Sequence, residues 1–430
     1  MLRRACSSSL RWAFSASFIC ALTCSKIGIA SPVSRIRTQS ATRALGSLAL
    51  LVGLAACAWL PGGGSGTRAF RAPEIRYGDE RYSAWFADER GGVLYFGLSP
   101  FWTELWATGD PAADLRTPGA QLIGRFDLAS ESFLPPLVAR AEGPDSRSSV
   151  WDVLAHPNGW IYFTTFYEEM GRVRPDTGEV ERFPALGRGL NELALGPEGQ
   201  VYATRYGSGL DDPHAKQDGA LLAVSENGRK LGELRLHARD GAVTAAKSVA
   251  VDPRSGRIFV NADLIHGDGN VEFARFVIDP DLSILDTEVG GPELLFIAFA
   301  SDGRAVSVWD DGGRLRLALG DGERERASID LGPRVPGDFA QDIHFAADGS
   351  AAVAFWSGRV DLVRARAGGF EHASLTLEKP PDCVPPAGRS LVYSAFAGPR
   401  AVHATLYCGV TILRGALPDQ WQPIPAREAR

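Results

Sequence analysis

Val150-Trp151-Asp152-Val153-Leu154-Ala155, then His156-Pro157-Asn158-Gly159, then Trp160-Ile161-Tyr162-Phe163-Thr164, reads as an apolar strand, a turn ending in glycine, and a second strand of aromatic and branched residues. The phrase returns as Asn191-Glu192-Leu193-Ala194-Leu195, Gly196-Pro197-Glu198-Gly199, Gln200-Val201-Tyr202-Ala203-Thr204. Seven copies place this first turn at residues 89–92, Asn158-Gly159, Glu198-Gly199, Ser255-Gly256, Asp302-Gly303, Asp348-Gly349 and, least regularly, Gly398-Pro399. Several copies add an outer hairpin around Asp176-Thr177-Gly178, Asn227-Gly228 or Gly368-Gly369, residues that supply the positive φ of tight turns. A repeat of roughly 40 to 50 residues built from four short strands specifies a β-propeller. The expected fold is all-β, a single β-propeller of four-stranded antiparallel blades over residues 70–430. Seven blades fit best; six or eight also fit, because the first and last copies are degenerate. Residues 70–80 are expected to supply the outer strand that closes the ring.

The chain has 430 residues, 45% of them hydrophobic and 22% charged, enough for a large core. Its first 57 residues are of another kind, with seven basic groups and no acidic one. Residues 44–56 form a mainly apolar run too short to span a bilayer comfortably and suited to the core of an export signal. The run ends Leu54-Ala55-Ala56-Cys57, which resembles the lipobox of bacterial lipoproteins. That resemblance implies removal of residues 1–56, lipidation of Cys57, and a flexible tether over residues 57–69 that contains Pro61-Gly62-Gly63-Gly64-Ser65-Gly66. An ordinary cleaved signal or a short anchor is the plainer alternative. A second signal-like segment at residues 12–23, followed by Gly28-Ile29-Ala30, suggests that residues 1–32 lie upstream of the true start. Ala58, rather than Asp, after the cysteine favours the outer membrane if the source is Gram-negative. The expected location is therefore a membrane-anchored lipoprotein, periplasmic or at the cell surface.

Without its N-terminal segment the chain keeps 38 basic against 51 acidic residues, a formal charge of −13. This opposes nucleic-acid binding and attraction to anionic lipid, so contact with the membrane is expected through the anchor only. Cys383 and Cys408, 25 residues apart, are the only cysteines after Cys57 and are expected to pair in an oxidising compartment. Buried free thiols are the alternative.

Aligning the copies on their first turn produces a polar column inside the innermost strand: Asp152, Glu192, Ser248, Phe296 and Asp342. The preceding column is Trp151, Asn191, Lys247, Leu295 and Gln341. Strand alternation aims one face at the channel, where polar groups must be solvated or paired. Candidates for binding at the channel mouth are therefore Asp152, Asn191, Glu192, Lys247, Asp342 and His344. His344 lies two residues beyond Asp342 on the same face, as a base beside a carboxylate or as a satisfied structural histidine. A hydrogen-bonded, water-filled channel without chemistry fits the same columns. Two long insertions, residues 97–119 with Trp102 and Trp106 and residues 206–219 with Asp211-Asp212-Pro213-His214, are places where function is commonly added. Asp263, His266 and Asp268-Gly269-Asn270 form a polar loop that fits either a Ca²⁺ ligand set or a solvated turn.

Residues 190–204, and more loosely 150–310, resemble the repeats of the regucalcin/gluconolactonase family and the related NHL-type propellers. In the former, Asn and acidic residues at the top of the channel hold a Ca²⁺ or Zn²⁺ ion that polarises a lactone carbonyl. The resemblance implies a metal held by Asn191, Glu192 and Asp263. Glu192 stands where Asp is usual, and Lys247-Ser248 occupies the place of a second metal-binding Asn. The chain has no HExxH, Walker-type glycine loop, Gly-x-Ser-x-Gly elbow or Cys-x-x-Cys-His.

The expected function is a lipid-anchored cell-envelope propeller that binds a small-molecule ligand or an envelope protein without catalysis. The alternative is a divalent-metal-dependent lactonase or esterase with its site at the channel mouth.

Overall fold

Short runs such as Ile161-Tyr162-Phe163-Thr164 and Ala351–Phe355 are buried at every position, so both faces of these strands need cover. No four-stranded sheet supplies that alone, and the chain answers by stacking sheets in a ring. The structure, a computed structural model, describes residues 66–72, 75–77, 80–100, 120–141, 150–165, 168–205, 219–237, 243–266, 270–321, 324–335, 338–366, 369–383 and 392–424. They form seven antiparallel sheets, the blades of a seven-bladed β-propeller. A single turn of 3₁₀ helix, Pro184–Leu186, is the only helix among the described residues.

From blade 1 to blade 7 the innermost strands are Glu80–Arg90, Val153–Ala155, Leu190–Leu195, Val243–Val251, Glu293–Phe299, Ala340–Phe345 and Val392–Ala397. The turn that follows each fits the sequence reading. Gly159 and Gly199, for example, adopt φ of 97° and 84°, a region costly for a side chain. Their amides close the turns on His156 O and Gly196 O.

Apolar clusters fill the seams between blades. Phe163 and Ile123 pack between blades 1 and 2, Tyr162 and Leu222 between 2 and 3, and Tyr202 and Phe276 between 3 and 4. Phe355 and Leu317 lie between 5 and 6, Leu362 and Leu406 between 6 and 7, and Phe126 and Ile412 between 7 and 1. Charged groups meet at the seam between blades 4 and 5. Lys247 Nζ meets Asp263 at 2.6 Å and Glu293 at 4.0 Å, and Asn261 Nδ2 donates to Leu295 O at 3.3 Å. Below them, Arg275 and Arg316 both lie over the Trp309 ring, and Phe259 packs on Phe299 at 5.2 Å.

The ring closes through Arg68–Arg71, which pairs with Val410–Ala416 as the outer strand of blade 7. This is slightly earlier than the expected closing segment. Arg76–Tyr77 instead extends blade 1, and Gln422–Ile424 adds a fifth strand to blade 6. Glu131 of blade 1 grips the closure, meeting Arg68 at 3.1 Å and Arg414 at 2.5 Å. Cys383 and Cys408 are joined, as their parity suggested, with Cα atoms 5.8 Å apart. Asp382 beside this bridge takes both guanidinium nitrogens of Arg71, at 2.5 and 2.7 Å. The disulfide therefore sits where the two chain ends meet.

The export signal, Cys57, most of the tether, Trp102, Trp106, Asp211, His214 and Asp268 lie outside the described residues.

Replacing both Cys383 and Cys408 by Ala is expected to lower stability by about 3 kcal/mol, the chain-entropy value for a loop of this size. Urea unfolding with and without reductant measures it. An unchanged midpoint would show that the closure holds without the bond.

Candidate functional site

Six of the seven innermost strands slip register near their start. The irregularities lie between Ala84 and Ala87, Leu190 and Leu193, Ala246 and Ser248, Leu294 and Phe296, Ala340 and Asp342, and Val392 and Ala395. Each is a bulge at the polar column. A bulge takes backbone amides out of the ladder, and they need other acceptors. Column side chains provide them. Asp152 accepts from Val153 N and, across the seam, Leu193 N, both at 2.8 Å. Glu192 accepts from Val249 N in blade 4. Asp342 accepts from Ile343 N at 2.8 Å and from Ser394 Oγ at 2.6 Å, while Ser394 Oγ accepts from Ala87 N at 3.1 Å. Asp88, one step lower in blade 1, accepts from Glu89 N and from Ala155 N of blade 2. These contacts lace five of the seven seams from inside the channel.

Sequence reading selected Asp152, Glu192, Asp342 and His344, and the structure brings them together around one cavity of about 320 Å³. It missed Asp88 and Ser394. Asp88 is offset from the column by two residues, and the column was aligned only over copies two to six. The signal for Asp88 was its place on the same strand face as His344, two blades away around the ring.

The cavity floor is apolar, with Phe86, Phe296, Phe299 and Phe345 among its lining. Beside the carboxyls, the preceding column is aromatic in blades 7, 1 and 2: Trp85 lies 4.7 Å from Trp151 and 4.8 Å from Tyr393. Burial against these groups pushes the Asp152 carboxyl up to about 8, helped by the charges of Asp342 and Asp88 and opposed by its two amide donors. Glu192 is pushed well up by burial, then by Asp152 and Asp342. Asp88 is raised, chiefly by burial. Burial works against the His344 imidazolium, but the Asp342 carboxylate 2.6 Å from its Nε2, with Asp88 and Asp152, outweighs it and raises its pKa. The ring also stacks on Phe396 at 4.1 Å.

Asn191, Lys247 and Asp263 belong to a different cluster. Asn191 turns its amide nitrogen to Lys247 O at 2.6 Å, while Lys247 Nζ is held by Asp263. Asn191 and Glu192 are neighbours on one bulge whose side chains serve different neighbours, and Asp263 joins neither. A cation at Asp263 is already supplied by the ammonium, so the donor set does not fit a metal without displacing Lys247. A wider trough of about 950 Å³ between blades 3 and 4, at the opposite end of the strands, is lined by turn residues such as Pro197, Pro253 and Pro280.

No protein-family model matches the chain, and no curated protein matches it in sequence. Solved structures do share its fold. The virginiamycin B lyase of Staphylococcus aureus, an inactive variant crystallised with quinupristin, is 11% identical with a TM-score of 0.50, over 82% of this chain and 100% of that one. The propeller domain of Cps50 (Swd1) from Myceliophteria thermophila is 10% identical at 0.50, over 82% and 100%. A candidate gluconolactonase is 13% identical at 0.40, over 65% and 90%. At these identities the likeness is one of fold.

A carboxyl raised on folding binds more protons in the native state than in the unfolded one. Stability from Asp88, Asp152 and Glu192 is therefore fully present below about pH 4 and is lost as pH rises toward their folded values, about 8 for Asp152. Denaturant midpoints are expected to fall between pH 5 and 8.5, and Asp152→Asn should flatten that slope. A midpoint that rises over this range would contradict the burial of these groups.

Proposed function

We propose that this chain is exported, lipidated at Cys57, and held at the cell envelope, where its propeller is a non-catalytic module that binds a small ligand or a partner's side chain. The observation that supports this reading best is the channel cavity. Its size, about 320 Å³, falls in the range of small-ligand sites, and polar groups from several blades converge on an apolar floor. Its carboxyls are committed to latching blades together, a role that fits a rigid receptor. The acidic balance of the chain and its tether agree with an envelope protein that meets soluble or membrane-bound partners.

The metal-dependent hydrolase is the weaker reading, because Lys247 neutralises Asp263 and the Asn191 amide is spent on Lys247 O. The two readings separate in one experiment on the full-length protein in detergent. Thermal shift against a panel of amines, acids, saccharides and lactones, with and without added Ca²⁺ or Zn²⁺, is expected to give a metal-independent stabiliser. At 100 times its Kd such a ligand adds about 2.7 kcal/mol. The shift should vanish in Ala250→Phe and Ala298→Phe, which fill the cavity. Metal-dependent turnover of a lactone, lost in Asn191→Ala, would overturn this reading in favour of the hydrolase. Palmitate labelling should be lost in Cys57→Ser; labelling that persists would remove the anchor at that position.

A further inference from the structure

We propose that the channel cavity receives an organic cation, a primary ammonium on an apolar or aromatic stem, with Glu192, Asp152 and Ser248 around the ammonium and the phenylalanines around the stem. This rests on the binding-module reading and gives its ligand a chemical class.

The latches that run around the channel stop at blade 4. In the other polar positions of the column a side chain is tied to the next blade, but Ser248 is not. Ser248 is only 7% exposed and lines the cavity, and its hydroxyl has no protein partner among the described residues. Its successor in blade 5 is Phe296, which can take no hydrogen bond. That hydroxyl is open to the cavity, free to donate to or accept from a ligand there.

Charge selects the partner's sign. Asp88, Asp152, Glu192 and Asp342 surround the cavity, and His344 is the only basic side chain among the described residues that line it. Lys247, the nearest other cation, spends its ammonium on Asp263. An anion would face four carboxyls. Each ionised carboxyl has about four acceptor sites, and Asp152 uses two of them on backbone amides. Glu192, longer by one methylene, reaches further from its strand.

Geometry separates an organic cation from a metal ion. The carboxyls are pinned to amides on different blades, and no three His, Cys, Asp or Glu side chains among the described residues lie close enough to hold one ion. Three ammonium donors can span acceptors spaced this way, and the stem would cover Phe296, Phe299 and Phe345. An ammonium would also favour the ionised carboxyls and displace protons, so affinity should rise with pH as Asp88, Asp152 and Glu192 ionise and as His344, paired with Asp342, loses its charge, while Lys247 behind Glu192 keeps its own.

Calorimetry on the full-length protein in detergent tests this with phenethylamine, its neutral counterpart phenethyl alcohol, and the anion 3-phenylpropionate. The amine is expected to bind at least about tenfold more tightly than either, the scale of a charge-assisted hydrogen bond. Its affinity should increase from pH 6.5 to 8.5, with net proton release measured by comparing buffers of different ionisation enthalpy. Glu192→Gln, which can still accept from Val249 N, should cost the amine about tenfold and leave the alcohol unchanged; Ser248→Ala should weaken the amine less. Should Glu192→Gln fail to fold, the pH trend and Ser248→Ala still decide. Equal binding of amine and alcohol, or no amine binding at millimolar concentration, would overturn the cation site. Ligands of another class that still need an unfilled cavity would leave the binding module standing, whereas no cavity-dependent ligand of any class would overturn both.

Discussion

A backbone amide released by a bulge in the innermost strand is the constraint around which the centre of this propeller is arranged. The channel is narrow and lined with aromatic and aliphatic groups, so such an amide cannot be left to bulk water at little cost. A carboxylate answers best, because two oxygens can serve the amide of the same strand and that of the next blade at once, as Asp152 does for Val153 and Leu193. The choice has an electrostatic consequence. Several carboxyls are brought within a small, poorly solvated volume, and they relieve their mutual repulsion by holding protons or by gathering cations. Fold satisfaction and ligand chemistry are thus two results of the same side chains.

The fold was legible because its signals are local and repeated. Turn glycines recur at the blade period, and strand composition changes at each of them. The polar column was legible for the same reason, and the extra residue needed to align the fourth copy lies in its longer turn, which closes from Asp252 to Arg257. The closing strand was not, since Arg68–Arg71 buries only Phe70 and its partner lies more than 300 residues away. No periodicity in four residues encodes such a pairing. The site was half legible. Residue type and face identified Asp152, Glu192, Asp342 and His344, but their amide partners could not be read, because a bulge's hydrogen bonds depend on the tilt of the neighbouring blade. Lys247 was read as a cation set against a metal; its bond to Asp263 is a contact between two strands of one blade that the column alignment does not contain.

The seam between blades 4 and 5 combines two features. Arg275 of blade 4 reaches the Trp309 ring of blade 5 across it, and no carboxyl latch crosses it from Ser248, just as none crosses the next seam from Phe296. Apolar burial resists opening in proportion to area, whereas a pair such as Lys247–Asp263 is worth little unless its geometry is kept. With the chain ends tied on the opposite side of the ring by Arg71–Asp382 and the Cys383–Cys408 bond, the covalent restraint lies at blades 6 and 7. The ring is therefore not uniform, and one of its two unlaced seams borders the open hydroxyl of Ser248.

That asymmetry bears on how a pseudo-symmetric fold acquires a single site. Seven equivalent blades would produce seven equivalent latches and a channel with no preferred direction. Replacing the carboxyl by Ser248 in blade 4 and by Phe296 in blade 5 removes two latches and exposes one hydroxyl and one ring in their place. The lost latches cost stability at two seams, about 0.5–1.5 kcal/mol for each net hydrogen bond. In return the cavity gains surroundings that differ from blade to blade, with carboxyls, phenylalanines and one hydroxyl in its lining. Recognition at the centre of a propeller needs such a departure from repetition.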